Sequence, residues 1–209
     1  MIMCTDRHQN GPICLPQQPT DWTVTGGSTR FTTGEDCLFV SVFAPTDADT
    51  TSELPVMFFI QGGGFGSLSS ANWDPSELVR EENVVVVQFN YRVGPYGFLQ
   101  GEEVRSGGSL NNGIKDMIKA LEWVQQHIMK FGGNPKQVVL NGVSAGLLMA
   151  ANLENPPFVG GISESGGWVT MRTMDQGQEQ YDCLVKDKNC TGAADTLACL
   201  RALPSRDVM

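Results

Sequence analysis

Short apolar segments that lack polar alternation are the feature of this sequence that most restricts its fold. Three such segments, predicted to be strands, lie at Pro55–Gln61, Asn83–Phe89 and Lys136–Asn141. A strand with one solvated face alternates apolar and polar residues, whereas a strand covered on both faces is apolar throughout. Further strands are predicted at Leu38–Phe43 and Val159–Ser165. The pattern therefore predicts an α/β fold, with a central, mostly parallel sheet and helices on both faces.

Helices are expected between these strands. The longest, Ile114–Phe131, repeats its apolar residues with a period near 3.6 and ends at Gly132-Gly133. Shorter helices are predicted at Ser76–Glu82 and Ala145–Leu153, and residues 1–36 are predicted to be irregular because they are rich in Pro, Thr and Gly. A chain of 209 residues, 41% of them hydrophobic, is long enough for the core of one domain.

The charge of the chain limits its partners. The formal net charge of −9 argues against binding to nucleic acid or to an anionic membrane, because both are bound by basic surfaces. Apolar runs such as Val56–Ile60 are far shorter than the ~20 residues that span a bilayer, so no membrane span is expected. The first residues form no apolar segment, so no signal peptide is predicted within this chain.

A serine lies at the predicted carboxyl end of one of these strands. Gly142-Val143-Ser144-Ala145-Gly146 follows the strand Lys136–Asn141 and precedes a helix rich in small residues. In a nucleophile elbow, glycines on both sides let the backbone turn sharply and let the strand approach the helix. Ser144 is therefore a candidate nucleophile, although a serine in a glycine-rich turn can also simply cap the helix.

A glycine run follows a second predicted strand. Gly62-Gly63-Gly64-Phe65 comes directly after Pro55–Gln61, and backbone N–H groups of such a run can stabilise the oxyanion of a tetrahedral intermediate. The N–H of Ala145, next to the nucleophile, is a further candidate donor. A glycine run can also be a plain loop or a phosphate cradle. Because no Lys-Ser/Thr follows it, a nucleotide-binding P-loop is not predicted. Neither a cofactor nor a metal is expected.

Taken in order, these segments resemble the type-B carboxylesterase family, which also holds cholinesterases and several fungal extracellular lipases. The matching segments are Glu35-Asp36-Cys37-Leu38, Gln61-Gly62-Gly63-Gly64-Phe65, Asn90-Tyr91-Arg92-Val93-Gly94, Gly97-Phe98-Leu99, Trp123-Val124-Gln125, Phe131-Gly132-Gly133-Asn134-Pro135 and Ser144-Ala145-Gly146. The resemblance implies an α/β-hydrolase fold with Ser144 as the nucleophile. It implies an oxyanion hole formed by the N–H groups of Gly63, Gly64 and Ala145.

The six cysteines are open to two interpretations on composition alone, buried thiols or disulfides. The resemblance implies a disulfide between Cys14 and Cys37 and a second one between Cys190 and Cys199, with Cys4 and Cys183 unmatched. It also implies a secreted parent protein. In that setting Asn189-Cys190-Thr191 is a predicted N-glycosylation site.

Parts of the expected machinery are missing from the chain. This fold places its triad in the order Ser, then Asp or Glu, then His, yet both histidines, His8 and His127, precede Ser144. His127 is predicted to be a solvated residue on the polar side of its helix. The family also usually has Glu where this chain has Val143, and Gln where it has Glu164, so a charge beside the nucleophile is expected to be lost. We therefore expect residues 1–209 to form a partial domain, truncated at both ends, with no second domain.

The predicted function is hydrolysis of small-molecule carboxylic esters, through acyl transfer to Ser144 and then to water. The isolated chain is expected to be inactive because the acid and the histidine are absent. Two alternatives stay open: a catalytically inactive interaction module on the same scaffold, and a non-functional fragment. The sequence carries no prediction of the oligomeric state.

Overall fold

The computed structural model describes residues 12–15, 33–66, 73–144, 156–166 and 172–208. Its strands are β1 (Ile13–Cys14), β2 (Thr33–Gly34), β3 (Val40–Phe43), β4 (Leu54–Ile60), β5 (Val85–Phe89), β6 (Gly133–Val143) and β7 (Gly160–Glu164). Its α-helices are α1 (Ser76–Glu82), α2 (Gly94–Phe98), α3 (Glu102–Gly107), α4 (Asn112–His127), α5 (Met174–Asp187) and α6 (Thr196–Arg201), with 3₁₀ helices at Ile128–Phe131 and Ser205–Asp207. The predictions for Cys4, His8 and the helix Ala145–Leu153 lie outside the described residues.

The main sheet has five strands in the order β3-β5-β4-β6-β7. Strand β3 is antiparallel to β5, and the other three pairings are parallel. This arrangement confirms the predicted α/β fold with a mostly parallel sheet. Because β4 and β6 run side by side, with Ile60 opposite Gly142, the segments that follow these two strands leave the sheet at the same edge.

Both faces of the sheet are covered. Helix α4 packs Met117, Leu121 and Val124 onto one face, where they join Phe58 and other fully buried side chains of β4, β5 and β6. On the opposite face, the ring of Phe59 lies 5.3 Å from that of Trp73, the residue that leads into α1. Successive side chains of a strand point to opposite faces, which is why one apolar run serves both layers.

Several boundaries differ from the sequence prediction. Helix α4 ends at His127, and the chain continues as a 3₁₀ turn to Gly132, whose φ of 82° ends it. Strand β6 is longer than predicted, but its register against β4 shifts between Leu54 and Val56. Pro135 lies in the displaced stretch and has no N–H to donate to the ladder. The two-residue strands β1 and β2 lie in the stretch that was predicted to be irregular.

A smaller cluster lies beside the main core and was not predicted. Helices α3, α5 and α6 enclose Val104, Tyr181 and Leu200. The structure contains a disulfide between Cys190 and Cys199 in this cluster, with a Cα–Cα distance of 5.8 Å.

A second disulfide is formed by Cys14, in β1, and Cys37, with a Cα–Cα distance of 4.9 Å. Both pairings are those that the resemblance implies. Among the described cysteines Cys183 is free and exposed.

Candidate active site at the carboxyl ends of β4 and β6

Ser144 lies on a sharp turn directly after β6. Its φ is +57°, in the left-handed region that non-glycine residues seldom adopt, and the residue is exposed. For an L-residue this conformation costs roughly 1–2 kcal/mol, so it persists only where the surrounding structure imposes it. A strained, exposed serine between a buried strand and the following segment is the local geometry of a nucleophile elbow.

The glycine run after β4 lies against this turn. An added Cβ on Gly62 would lie 2.7 Å from the Val143 carbonyl oxygen and 3.0 Å from Ser144 Cβ. Only glycine therefore fits at position 62 without displacing the elbow. Gly63 and Gly64 follow with φ values of 110° and 59°, so the run turns sharply where it passes Ser144. The predicted third donor, Ala145, lies outside the described residues.

A buried tyrosine holds the start of this loop. Tyr91, which is 0% exposed, donates a hydrogen bond from its hydroxyl to the Gln61 carbonyl oxygen at 2.7 Å. Burial raises the pKa of the Tyr91 hydroxyl above its ordinary value, so the group stays a proton donor across the physiological range. At the other end of the loop, the Gly94 N–H donates to the Phe65 carbonyl oxygen at 2.6 Å. The glycine run is thus fixed at both ends by one segment, residues 91–94.

An ion pair fixes that segment to the core helix. Arg92 Nε and Nη2 donate to the two carboxylate oxygens of Asp116 at 2.7 and 2.6 Å, and the Arg92 backbone N–H donates to the same carboxylate at 3.1 Å. The hydrogen bond with Asp116 raises the pKa of the Arg92 guanidinium. Asp116 belongs to α4 and is buried. The supporting chain therefore runs from α4 through Arg92 and Tyr91 to the glycine loop.

We expect Tyr91→Phe to loosen this support, measured in the full-length protein that contains this chain. Removing the hydroxyl leaves the buried Gln61 carbonyl without this donor, which costs about 1–2 kcal/mol of stability. It should also lower kcat, because the glycine loop would no longer be held in place. Tyr96→Phe is the matched control, since the Tyr96 hydroxyl donates to the Ser205 carbonyl oxygen at 2.6 Å, away from this loop. Equal effects of the two variants on kcat would contradict a positioning role for Tyr91.

An acidic residue lies on the strand next to β6, near the end that leads to the elbow. Glu164, at the end of β7, is opposite Val143 in the strand register, and its Oε1 accepts a hydrogen bond from Asn141 Nδ2 at 2.9 Å. Val143 itself carries no charge, and the adjacent strand places the acidic residue Glu164 opposite it in the register. The sequence showed both departures from the family pattern, but not that positions 143 and 164 lie opposite each other on adjacent strands.

His127 is placed where it cannot assist Ser144. The histidine ends α4, before β6 begins, whereas Ser144 follows the last residue of β6. An extended strand of this length spans roughly 30 Å, so the two residues lie at opposite ends of the sheet. The prediction that His127 is solvated is only partly right. His127 is half-buried, and the centre of its ring lies 5.2 Å from the centre of the Trp123 ring.

Comparison with known proteins identifies the family of the chain. A family model described as "Carboxylesterase family" matches residues 4–209. The chain belongs to the carboxylesterase family. Within the described residues of this family member, no helix is both long enough and apolar enough to cross a membrane.

Individual relatives extend the comparison. Secreted triacylglycerol lipase LIP1 of Gibberella zeae is 38% identical over 211 residues, which cover 92% of this chain and 36% of the lipase. Carboxylesterase 5A of Felis catus is 35% identical over 186 residues, covering 84% of this chain and 34% of the relative. The crystal structure of Aspergillus niger EstA superimposes with a TM-score of 0.83 at 40% identity, covering 95% of this chain and 39% of that one. The carboxylesterase-family chain described here thus spans about a third of the length of the curated relatives it matches.

Proposed function

We propose that the protein containing this chain hydrolyses carboxylic esters by acyl transfer to Ser144, followed by attack of water on the acyl-enzyme. The proposal rests on one observation: Ser144, at the end of β6, has a left-handed backbone conformation, and the Gly62 backbone packs against it. Membership of the carboxylesterase family supports ester hydrolysis as the general activity. The backbone strain at Ser144 supports the serine as the attacking group, since a serine that only caps a helix does not require a left-handed backbone.

The glycine loop has the second role in this proposal. In the tetrahedral intermediate the former carbonyl oxygen is an anion, and the N–H groups of Gly63, Gly64 and Ala145 donate to it. One such donor stabilises the transition state by about 2.7–4 kcal/mol. The support from Tyr91 and Arg92 holds the loop before substrate arrives, so no reorganisation is needed at the moment of reaction.

The general base and the acid that orients it are proposed to come from the remainder of the parent protein. The described histidine, His127, lies at the wrong end of the sheet, and relatives are about three times as long as this chain. The substrate is a small-molecule ester, and no cofactor is required by acyl transfer to serine. Two disulfides and relatives named as secreted lipases support an extracellular location.

Labelling by a fluorophosphonate tests the proposal, since this probe reacts with a serine only when a base activates it. We expect the full-length protein to be labelled at Ser144, as located by peptide mapping. The isolated 209-residue chain is expected to stay unlabelled, because it lacks the base. Ser106→Ala is the matched control: Ser106 lies on α3, where its hydroxyl bonds to the Glu102 carbonyl, and its loss should leave labelling intact.

Two results would contradict the proposal. Label on a serine other than Ser144 would mean that the wrong nucleophile was chosen. A folded full-length protein without any label would favour the interaction-module alternative.

A further inference from the structure

An exposed asparagine follows the end of helix α5, which packs in the smaller cluster with α3 and α6. Asn189 and Thr191 are both exposed, and Cys190 between them is buried. The three residues form the sequence Asn-x-Thr, the acceptor pattern for N-linked glycosylation. Among the described residues, the Asn189 side-chain amide has no hydrogen-bond partner that would hold it against the protein, and the residue is exposed.

The backbone explains why an asparagine suits this position. Asn189 has a φ of +58°, and its N–H donates to the Lys186 carbonyl oxygen while the Cys190 N–H donates to that of Val185. These bonds close α5 with a Schellman motif, whose left-handed residue is usually Gly and sometimes Asn. The motif turns the chain out of the helix and leaves the Asn189 side chain on the surface.

The neighbouring disulfide supplies an independent observation on the cellular compartment. Cys190, the middle residue of the pattern, is bonded to Cys199. Disulfides form in the oxidising secretory pathway, and N-glycosylation takes place in that same compartment. In a eukaryotic cell, a chain that forms this disulfide passes through the compartment that holds the glycosylation machinery.

We propose that Asn189 carries an N-linked oligosaccharide. In the reaction, Asn189 Nδ2 forms a bond to C1 of the first sugar of a lipid-pyrophosphate-linked oligosaccharide. The bond from C1 to the pyrophosphate oxygen breaks, the lipid pyrophosphate leaves, and the amide nitrogen loses one proton. Next to Asn189 a surface depression is lined by Lys188, Arg206 and Asp207, whose charged groups can bond to sugar hydroxyls.

The fold also sets the order of events. The Schellman motif and the Cys190–Cys199 bond fix the acceptor segment in a bent conformation, with its middle residue buried. A transferase needs the segment open, so the oligosaccharide is added before α5 is capped and before this disulfide closes. Cys199→Ser, which prevents the bond, should therefore raise the occupancy of Asn189.

The test uses the full-length protein secreted from a yeast host. Its peptides are mapped by mass spectrometry before and after treatment with peptide N-glycosidase, which converts a glycosylated asparagine to aspartate. We expect conversion at Asn189, its loss in Thr191→Ala, and its partial retention in Thr191→Ser. Asn189→Gly is the folding control, since glycine accepts the left-handed conformation and the variant should be secreted without the sugar.

A positive control makes a negative result decisive. Asp49→Asn places an asparagine two residues before Thr51 in an exposed turn and so creates a second acceptor pattern in the same chain. Glycan at position 49 together with unmodified Asn189 would overturn the proposal. Higher occupancy in the wild-type protein than in Cys199→Ser would overturn the proposed order of events. Neither result depends on whether the protein hydrolyses esters.

Discussion

Ser144→Ala should lower kcat for short-chain p-nitrophenyl esters by about 10⁶-fold in the full-length protein, with KM nearly unchanged. The alanine removes only the attacking oxygen, while the oxyanion donors and the binding surface stay in place. The residual rate then comes from substrate binding and the oxyanion hole alone. It should exceed the rate of the uncatalysed reaction in water by about 10³–10⁴-fold. Initial rates at saturating substrate, with the secreted protein assayed beside its variant, measure the ratio.

The same measurement needs a control for contamination and for folding. Ser106→Ala should keep wild-type rates because Ser106 makes only local bonds on α3. Thermal unfolding of Ser144→Ala should show no loss of stability. A variant that is folded and retains more than about a hundredth of the wild-type kcat would refute Ser144 as the nucleophile, since that loss is far smaller than removal of a nucleophile produces.

Asp116→Ala should give the largest loss of stability among the substitutions considered. Its carboxylate accepts from the Arg92 backbone N–H and from two guanidinium nitrogens, and the change leaves those donors without an acceptor. Breaking a buried ion pair from one side typically costs 3–5 kcal/mol. Since the Arg92 side chain keeps 35% exposure and can turn to water, we expect the lower end, about 3 kcal/mol.

Denaturant unfolding of the full-length protein measures this change, and a second acidic residue of the same helix is the control. Glu122 pairs with Lys119 at 2.9 Å on the exposed side of α4, so Glu122→Ala should change the free energy of unfolding by less than about 0.5 kcal/mol. Similar losses from the two variants would show that α4 is sensitive to any loss of acidic charge. The ion pair with Arg92 would then have no special role.

Elements with a strong local pattern were predicted well. Helix α1 matches its predicted bounds, and the buried strand β5 starts two residues inside its predicted segment. The short helices α2 and α3 were missed, since five or six residues hold too few turns for an apolar period to emerge. The start of α4 also differs from the predicted start at Ile114. Asn111, directly before the helix, has a left-handed backbone, and the first helical turn begins after it.

The support of the candidate site could not be predicted residue by residue. The Tyr91 hydroxyl reaches a carbonyl 30 residues earlier in the chain, and Arg92 reaches a carboxylate 24 residues later. Such bonds depend on the order of strands in the sheet and on which way each loop turns, neither of which a local pattern contains. The Asn90-Tyr91-Arg92 segment did stand out in the sequence, but only as a mark of resemblance without a physical role.

The left-handed backbone at Ser144 has an evolutionary consequence. Glycine at this position would fold with less strain, so replacing the serine is a change that stabilises the fold while removing the chemistry. A lineage released from catalysis would gain stability by drifting toward glycine or asparagine there. The costlier residue at position 144, beside a Gly62 that no larger residue can replace without moving the elbow, is what the proposed role of Ser144 as a nucleophile predicts.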